Sequence, residues 1–464
     1  MTSESQPRRA GFAIILFTSF TLFSMFFGAG NLIFPPMLGA QSGTSFLPAI
    51  LGFLGTSVLL PVLAIIAIAN SGSSVTDLAR RAGPVFGLIF PILAYLSIGA
   101  FYALPRTGAV SFSTALQPIT GWDSTLASAL FNAVFFGIAL FLAYNPTKLV
   151  DKLGKILTPA LLVLLVVLVC CSMGMFHGTP GEPSEKFASA PAAVGLVEGY
   201  LTMDALAALA FGIVVISSLR MRGLKEGHQL VHGTIRAGLI AGVILAVIYL
   251  GLGYIGQIID QPSQYADGAA LLTDAARLTM GLPGQVVFGL IVLLACMTTA
   301  VGLIAATSEF FESLLPGVRY HAWAVIFAVM SWAMATMGLQ TVLDIAAPVI
   351  GFLYPPAVTL IIISLIESLL PGSLRFRYAI YAPVWLAVVW SAMTSFNDLG
   401  WGSFWDAIIG WSPLTAQSLG WLLPVSVVFV IMLVVDIVLS RAHPRDPQDE
   451  AVASEHDQDA AVAH

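Results

Sequence analysis

Two charged side chains lie within apolar runs that are long enough to cross a bilayer. Arg106 belongs to the segment Phe101–Gly108, and Asp204 belongs to the segment Glu198–Ala205. A charge at the centre of a membrane helix is unfavourable by about 2.5–3.5 kcal/mol, so each side chain must face protein or water. The two could form a buried ion pair. Asp204 could also bind a cation or carry a proton, and Arg106 could close an outer vestibule or neutralise a carboxylate.

Backbone groups supply a second kind of chemistry, within Phe26–Pro36. Glycines loosen a helix there and prolines donate no N–H, and the residues concerned are Gly28, Gly30, Pro35 and Pro36. A broken membrane helix frees polar backbone groups, which ligand, protein or water must satisfy. The freed N–H groups of Ala29–Asn31 could hold a carboxylate, and the preceding carbonyls could accept from an ammonium or coordinate a cation. Alternatively, these residues only kink the helix or allow close packing.

A second interruption lies in Glu198–Ala205, where a glycine, a hydroxyl and two acids occur together. Two corresponding broken helices are the best sequence pointer to the central site of a transporter, and the pair would suit a zwitterionic substrate. Flanking side chains could line an apolar pocket, although isolated aromatic residues usually only pack: Phe23, Phe26, Phe27, Tyr200 and Met203. The predicted substrate-binding residues are Phe27, Gly28, Ala29, Gly30, Asn31, Tyr200, Leu201, Thr202, Met203 and Asp204. Glu198 is expected in an outer vestibule.

Adjacent hydroxyls, Thr298 and Thr299, stand in an apolar segment further along the chain. Such hydroxyls usually bond back to the carbonyl four residues earlier. Oxygen ligands are also what a hard cation such as Na⁺ prefers, by analogy with other hard ions. The segment Leu353–Pro356 repeats the proline pair and is interpreted as a kink.

Other chemistries lack support in the sequence. The three cysteines, Cys170, Cys171 and Cys296, lie in apolar runs and indicate neither disulfides nor a metal centre. There is no phosphate-binding loop of the form GxxxxGK[ST], so ATP-driven transport by this chain alone is disfavoured. We expect no enzymatic activity, no organic cofactor and no nucleic-acid partner.

Long apolar runs must position these residues, because 58% of the 464 residues are apolar and only 9% are charged, against about 25% in a soluble protein. This composition predicts an all-α polytopic membrane protein, in contact with the lipid bilayer along most of its length. About twelve candidate spans follow from the hydropathy pattern, near residues 12–38, 46–69, 86–115, 124–144, 156–176, 193–218, 234–258, 284–308, 322–338, 342–370, 378–394 and 421–440. The first and sixth spans are the broken ones and begin two halves of a possible five-plus-five inverted repeat.

Basic residues orient the spans. Of the 19 lysines and arginines, Lys186 and Arg277 fall in predicted outer loops and Arg106 falls within a span. The others lie on the side of the N-terminus, and such an excess marks the cytoplasm. Both termini are therefore predicted to be cytoplasmic.

The predicted organisation has three parts. Residues 1–10 form an N-terminal tail, residues 11–440 form the transmembrane domain, and residues 441–464 form an acid-rich, disordered C-terminal tail. Within the domain, repeat one covers about residues 11–176, repeat two about 193–370, and two extra helices about 378–440.

The motifs Phe27–Pro36, Gly199–Asp204 and Leu353–Pro356 resemble those of the bacterial branched-chain amino acid:cation symporter family, known as LIVCS or BrnQ. The resemblance covers residues 10–440. It implies Na⁺-coupled uptake of leucine, isoleucine and valine across the inner membrane, on a leucine-transporter-like (LeuT-like) fold.

The wider fold implies a sodium site as well. Its first-helix pattern is matched by Gly28, Gly30, Asn31, Phe34 and Pro35. Its second sodium site corresponds here to the carbonyls of Ser24 and Phe27 together with Ala295, Thr298 and Thr299, where threonine replaces a serine. A first sodium site is less complete, with contributions only from Asn31 and Thr202. The aspartate that amine carriers of this fold place in the first helix is absent, which favours a substrate with its own carboxylate.

The leading hypothesis is a sodium-coupled symporter that works by alternating access. A proton-coupled amino acid carrier that uses Asp204 is the alternative. A membrane-embedded enzyme or a channel is disfavoured, because a channel needs no pair of centrally broken helices.

Overall fold

A computed structural model of the chain describes residues 6–71, 74–144, 146–221, 228–370, 376–400 and 403–442. Side chains are described over 14–71, 74–144, 158–212, 229–370, 376–400 and 404–440. Residues 1–5 of the predicted N-terminal tail and residues 443–464 of the predicted C-terminal tail lie outside the described residues. So do several basic residues that orient the chain, including Arg222, Lys225, Arg375 and Arg445.

Every regular element in the described ranges is helical. The first half of the chain contains α1 (Gln6–Phe26), α2 (Ala29–Ser42), α3 (Phe46–Leu54), α4 (Leu60–Ser71), α5 (Val75–Arg80), α6 (Pro84–Leu96), α7 (Ala103–Ser111), α8 (Gln117–Thr120), α9 (Thr125–Ala143) and α10 (Pro146–Met175). The second half contains α11 (Glu185–Ala188), α12 (Pro191–Tyr200), α13 (Asp204–Met221), α14 (His228–Ile258), α15 (Gly268–Leu314), α16 (Tyr320–Thr336), α17 (Leu339–Leu369), α18 (Tyr378–Asp398), α19 (Asp406–Ile409) and α20 (Leu422–Ala442).

Short irregularities divide several of the predicted spans. Single π-helical turns at Gly55–Leu59, Ser97–Phe101 and Phe112–Leu116 link α3 to α4, α6 to α7 and α7 to α8. Helix α15 contains a non-helical residue, Gly281 (φ 70°), shortly before Pro283. A glycine adopts this conformation without a steric penalty, so α15 bends at this residue.

In the described part of the chain, nine helical runs are long and apolar enough to cross a membrane, and ten if the bent pair α12 and α13 forms one span. Two shorter apolar helices, Ile14–Phe26 and Tyr320–Thr336, coincide with two further predicted spans. The chain is therefore a multi-pass, all-α membrane protein, and the count of twelve spans stays a prediction.

The two broken spans pack in a reciprocal manner. Helices α1 and α2 of the first span contact α14, whereas α12 and α13 of the sixth contact α3 and α4. Glycines allow the backbones to touch: a Cβ on Gly39 would overlap the Gly253 carbonyl, and one on Gly195 would overlap the Ala49 carbonyl. Such an exchange of partners is expected of two repeats that are related by a two-fold axis.

A second group of helices supports this bundle. Helix α15 packs against α7, α9 and α16, and α1 and α2 rest on α15. The extra helices α18 and α20 pack on each other, and α18 also packs on α17. The break in the first span, between α1 and α2, consequently lies near α7 and α15.

Candidate functional site

The first span is broken at Phe27–Gly28, between α1 and α2. Gly28 is extended (φ −125°, ψ −158°), and its N–H donates to Oδ1 of Asn31 at 2.9 Å. In a continuous helix the Gly28 N–H would bond the Ser24 carbonyl, so this carbonyl is released at the end of α1. Pro35 and Pro36 lie inside α2, so the break precedes the proline pair.

The second break separates α12 from α13, whose axes differ by 42°. Met203 takes a left-handed conformation (φ 69°), which is uncommon for a residue with a side chain. The Thr202 hydroxyl donates to the Gly199 carbonyl at 2.9 Å and accepts from the Asp204 N–H at 3.4 Å. Asp204 then begins α13, where the helix dipole favours a negative charge.

A buried hydrogen-bond cluster joins the two breaks. Nδ2 of Asn31 donates to Oδ2 of Asp204 at 2.9 Å, and the Tyr249 hydroxyl donates to the same oxygen at 2.8 Å. Asn31 also donates to the Tyr249 oxygen. These three side chains are at most 2% exposed. The cluster therefore links the first, sixth and seventh predicted spans through one carboxylate.

Arg106 is held by the other side of the second break. Its Nη1 donates to the Tyr102 hydroxyl and to the Leu201 carbonyl, both at 2.7 Å, and its Nη2 donates to the Thr202 carbonyl at 2.9 Å. The guanidinium also lies over the Tyr102 ring, 4.4 Å from its centre. Arg106 thus satisfies carbonyls that the end of α12 leaves without helical partners.

The predicted ion pair between Arg106 and Asp204 is not formed among the described side chains. Carbonyls of the second break and Tyr102 hold the guanidinium, whereas Asn31 and Tyr249 hold the carboxylate. Arg106 faces the first break instead, because a Cβ on Gly30 would lie 2.5 Å from its Nη2. Glycine at this position leaves room for the guanidinium over the first turn of α2.

One of the candidate sodium residues, Thr299 of α15, lies beside the first break. A Cβ on Gly28 would lie 3.1 Å from Oγ1 of Thr299, and this buried oxygen has no hydrogen-bond partner among the described residues. Thr298 instead donates to the Ala295 carbonyl at 2.8 Å, as helical hydroxyls usually do. The structure brings the break beside Thr299, and a cation held by the carbonyls of Ser24, Phe27 and Ala295 with the two hydroxyls stays a prediction.

Aromatic side chains surround both breaks. Phe23 and Phe27 stack with ring centres 5.1 Å apart, and Tyr200 stacks on Tyr354 at 4.4 Å. Tyr354 belongs to the segment Leu353–Pro356, whose proline pair predicts a kink. Neither Tyr354 nor Tyr249 was predicted at the site, although a phenol inside an otherwise apolar helix was a signal for both.

Glu198 lies near the end of α12, shortly before the second break. It forms an ion pair with Lys186 of α11, whose side chain is 54% exposed. Its expected place in an outer vestibule stays a prediction.

Two broken spans that meet at a buried polar centre define a membrane protein of the LeuT-like fold. One similar solved structure is Mhp1, a nucleobase-cation-symport-1 family transporter, in a closed conformation with bromovinylhydantoin bound. Its TM-score is 0.57 at 14% identity, and the match covers 93% of each chain. Another is MhsT in complex with L-phenylalanine, with a TM-score of 0.54 at 19% identity, covering 82% of this chain and 97% of MhsT.

The chain belongs to the family described as "Branched-chain amino acid transport protein", whose sequence model matches residues 13–439. The branched-chain amino acid permease BrnQ of Corynebacterium glutamicum is 58% identical over 91% of this chain and 95% of its own. A protein of Staphylococcus aureus (strain USA300) that is named as a branched-chain amino acid carrier is 38% identical over 89% of this chain and 94% of its own. The resemblance in the sequence motifs is thereby confirmed.

Proposed function

We propose that the protein is a secondary active symporter that imports leucine, isoleucine and valine with Na⁺ across the bacterial cytoplasmic membrane. The observation that carries this proposal is the meeting of two broken helices at buried polar groups, with Asn31 capping one break and bonding to Asp204 of the other. The names of the family and of its relatives support the substrate class.

The charge and the polarity of the surrounding groups support a substrate site between the two breaks. The first turn of α2 offers the N–H groups of Ala29, Gly30 and Asn31 to a carboxylate. The Asp204 carboxylate is an acceptor for an ammonium. Apolar surface from Phe27, Tyr200 and Met203, each at most 6% exposed, suits a branched aliphatic side chain.

The contact between the first break and α15 is the proposed site for sodium. The released Ser24 carbonyl and the unpartnered Thr299 hydroxyl are oxygen donors on opposite sides of this contact. A ligand shifts a conformational equilibrium only by its different affinities for the two states. An ion that bridges α1 and α15 would favour the conformations in which the two helices are in contact, and so would promote alternating access.

Proton coupling is a second candidate, and Asp204 is the observation that favours it. This carboxylate is 2% exposed and has no ion-pair partner among the described residues. A carboxylate without a counter-ion in an apolar site can be stabilised by taking up a proton. In this case Asp204 would carry the co-transported proton, and its role would not be limited to binding the substrate.

Uptake of labelled leucine by proteoliposomes separates these candidates. We expect saturable uptake that is driven by an inward Na⁺ gradient at equal pH on both sides, and that excess isoleucine or valine inhibits. Uptake driven by a proton gradient without Na⁺, and lost in Asp204→Asn, would favour the second candidate. Leucine uptake that does not saturate with leucine concentration would contradict a symporter of this class. The same holds if neither the Na⁺ gradient nor the proton gradient drives leucine uptake.

A further inference from the structure

We propose that Arg106 is the counter-ion of the substrate carboxylate, and that it fixes the preference for substrates with a free carboxyl group. This inference rests on the proposed function, because it needs an amino acid between the two breaks. It differs from the predicted ion pair with Asp204, which the described side chains do not form.

The positive charge of Arg106 is buried inside the protein. Arg106 is 4% exposed, and its described hydrogen bonds go to one phenol and two carbonyls. All these acceptors are neutral. A buried charge is stable only if an opposite charge or strong hydrogen bonds compensate it, so this environment favours a further, negatively charged partner.

The N-terminal end of α2 lies beside the Arg106 guanidinium. The guanidinium lies directly over Gly30, in the first turn of α2. A helix N-terminus carries about half a positive charge. Two positive groups therefore lie next to each other inside the protein, and an anion placed beside both would be attracted by each.

The Nε edge of the Arg106 guanidinium is available for a further hydrogen bond. Nε of Arg106 is buried and has no hydrogen-bond partner among the described residues, whereas Nη1 is taken by Tyr102 and Leu201. Arginine commonly receives a carboxylate through two parallel N–H groups. The bonds of Nη1 to the Leu201 carbonyl and of Nη2 to the Thr202 carbonyl hold the side chain at the second break. The N–H of Nε and the second N–H of Nη2 are left to receive an anion.

Substrate analogues test this assignment in the full-length protein at saturating Na⁺. Competition against labelled leucine compares leucine with leucinamide, which keeps the ammonium and the side chain but has no carboxylate. We expect Arg106→Gln and Arg106→Lys to weaken leucine binding, by about a hundredfold in Arg106→Gln and by less in Arg106→Lys, which keeps the charge without the fork. The affinity for leucinamide should stay the same or improve, since a positive charge beside it has been removed or reshaped.

Arg277→Gln is the matched control, because this arginine is 57% exposed and pairs with Asp274 in an outer segment. It should leave both affinities unchanged. A parallel loss of leucine and leucinamide binding in the Arg106 variants would mean that Arg106 only holds the second break, and would overturn the proposal.

A measurement on the wild-type protein removes the dependence on folded variants. Leucine labelled with ¹³C at the carboxyl carbon is bound to protein labelled with ¹⁵N in its arginine side chains. Solid-state NMR should detect a carbon–nitrogen contact within about 4 Å, the span of an arginine–carboxylate pair. Bound leucine without this contact refutes the role of Arg106, whereas a wild-type protein that binds no leucine refutes the proposed function itself.

Discussion

Asn31 combines two tasks that usually fall to different residues. Its carbonyl oxygen accepts from the Gly28 N–H, and its amide nitrogen donates to Asp204. Aspartate could accept the first bond but could not donate the second when ionised, and alanine could do neither. A single amide therefore ends the first break and ties it to the second, so the geometry of both depends on this one side chain.

Thr298 and Thr299 of α15 should differ in their effect on the Na⁺ dependence of uptake. Thr299 has an unpartnered oxygen beside the first break, whereas Thr298 bonds to the Ala295 carbonyl. Thr298→Val with Thr299→Val should raise the Na⁺ concentration for half-maximal uptake at least about tenfold, or ~1.4 kcal/mol. Thr299→Val alone should account for most of this change, because valine keeps the shape and removes the oxygen ligand.

The control for this series is Thr273→Val on the same helix, since the Thr273 hydroxyl is buried and donates to the Ala269 carbonyl of its own helix. Its Na⁺ dependence should match that of the wild type. The affinity for leucine at saturating Na⁺ should change little in any of these variants. If the folded double variant keeps the wild-type Na⁺ dependence, the threonines are not sodium ligands.

Among the elements, the extra helices are joined by a helix cap that comes from a distant part of the chain. Asp436 of α20 accepts from the backbone N–H groups of Arg377, Tyr378 and Ala379, at 2.9, 3.2 and 2.9 Å. These groups begin α18 and have no helical partners of their own. A carboxylate at this end also interacts favourably with the helix dipole, so Asp436 fixes the packing of α20 on α18.

We therefore expect Asp436→Ala to lower the free energy of unfolding by about 1–3 kcal/mol, because it leaves N–H groups unpaired. Asp436→Asn should cost less, since it retains one acceptor oxygen. Thermal unfolding in detergent would measure both variants, with Asp344→Ala as the control, because Asp344 is exposed and accepts from the Gln340 amide of its own helix. The KM for leucine should stay constant. A wild-type melting temperature in Asp436→Ala would show that the cap does not hold α20.

For the whole molecule, the features that could be predicted from the sequence are those with local causes. Glycine, proline and polar residues within apolar runs located both breaks to within a few residues. The partners of the buried charges could not be predicted in this way, because Arg106 bonds to carbonyls 95 and 96 residues away and Tyr249 reaches Asp204 across 45 residues. Backbone carbonyls give no signal in a sequence, so a buried arginine suggested a carboxylate partner instead.

The orientation of the whole chain in the membrane gives the final prediction. Exposed loop residues Glu182 and Ser263 flank the sixth and seventh predicted spans, and exposed Gly317 follows the eighth. If the bent pair α12 and α13 crosses the membrane completely, the first two loops are outside and Gly317 is inside.

Cysteine replaces each residue in turn, in a background where Cys170, Cys171 and Cys296 are alanine, and whole cells receive a membrane-impermeant maleimide. Glu182→Cys and Ser263→Cys should react in intact cells, and Gly317→Cys only after permeabilisation, because the excess of basic residues keeps its side of the chain in the cytoplasm. Opposite labelling of Glu182→Cys and Ser263→Cys would mean that the bent pair re-enters on the side where it began, and the prediction of twelve spans would then be wrong.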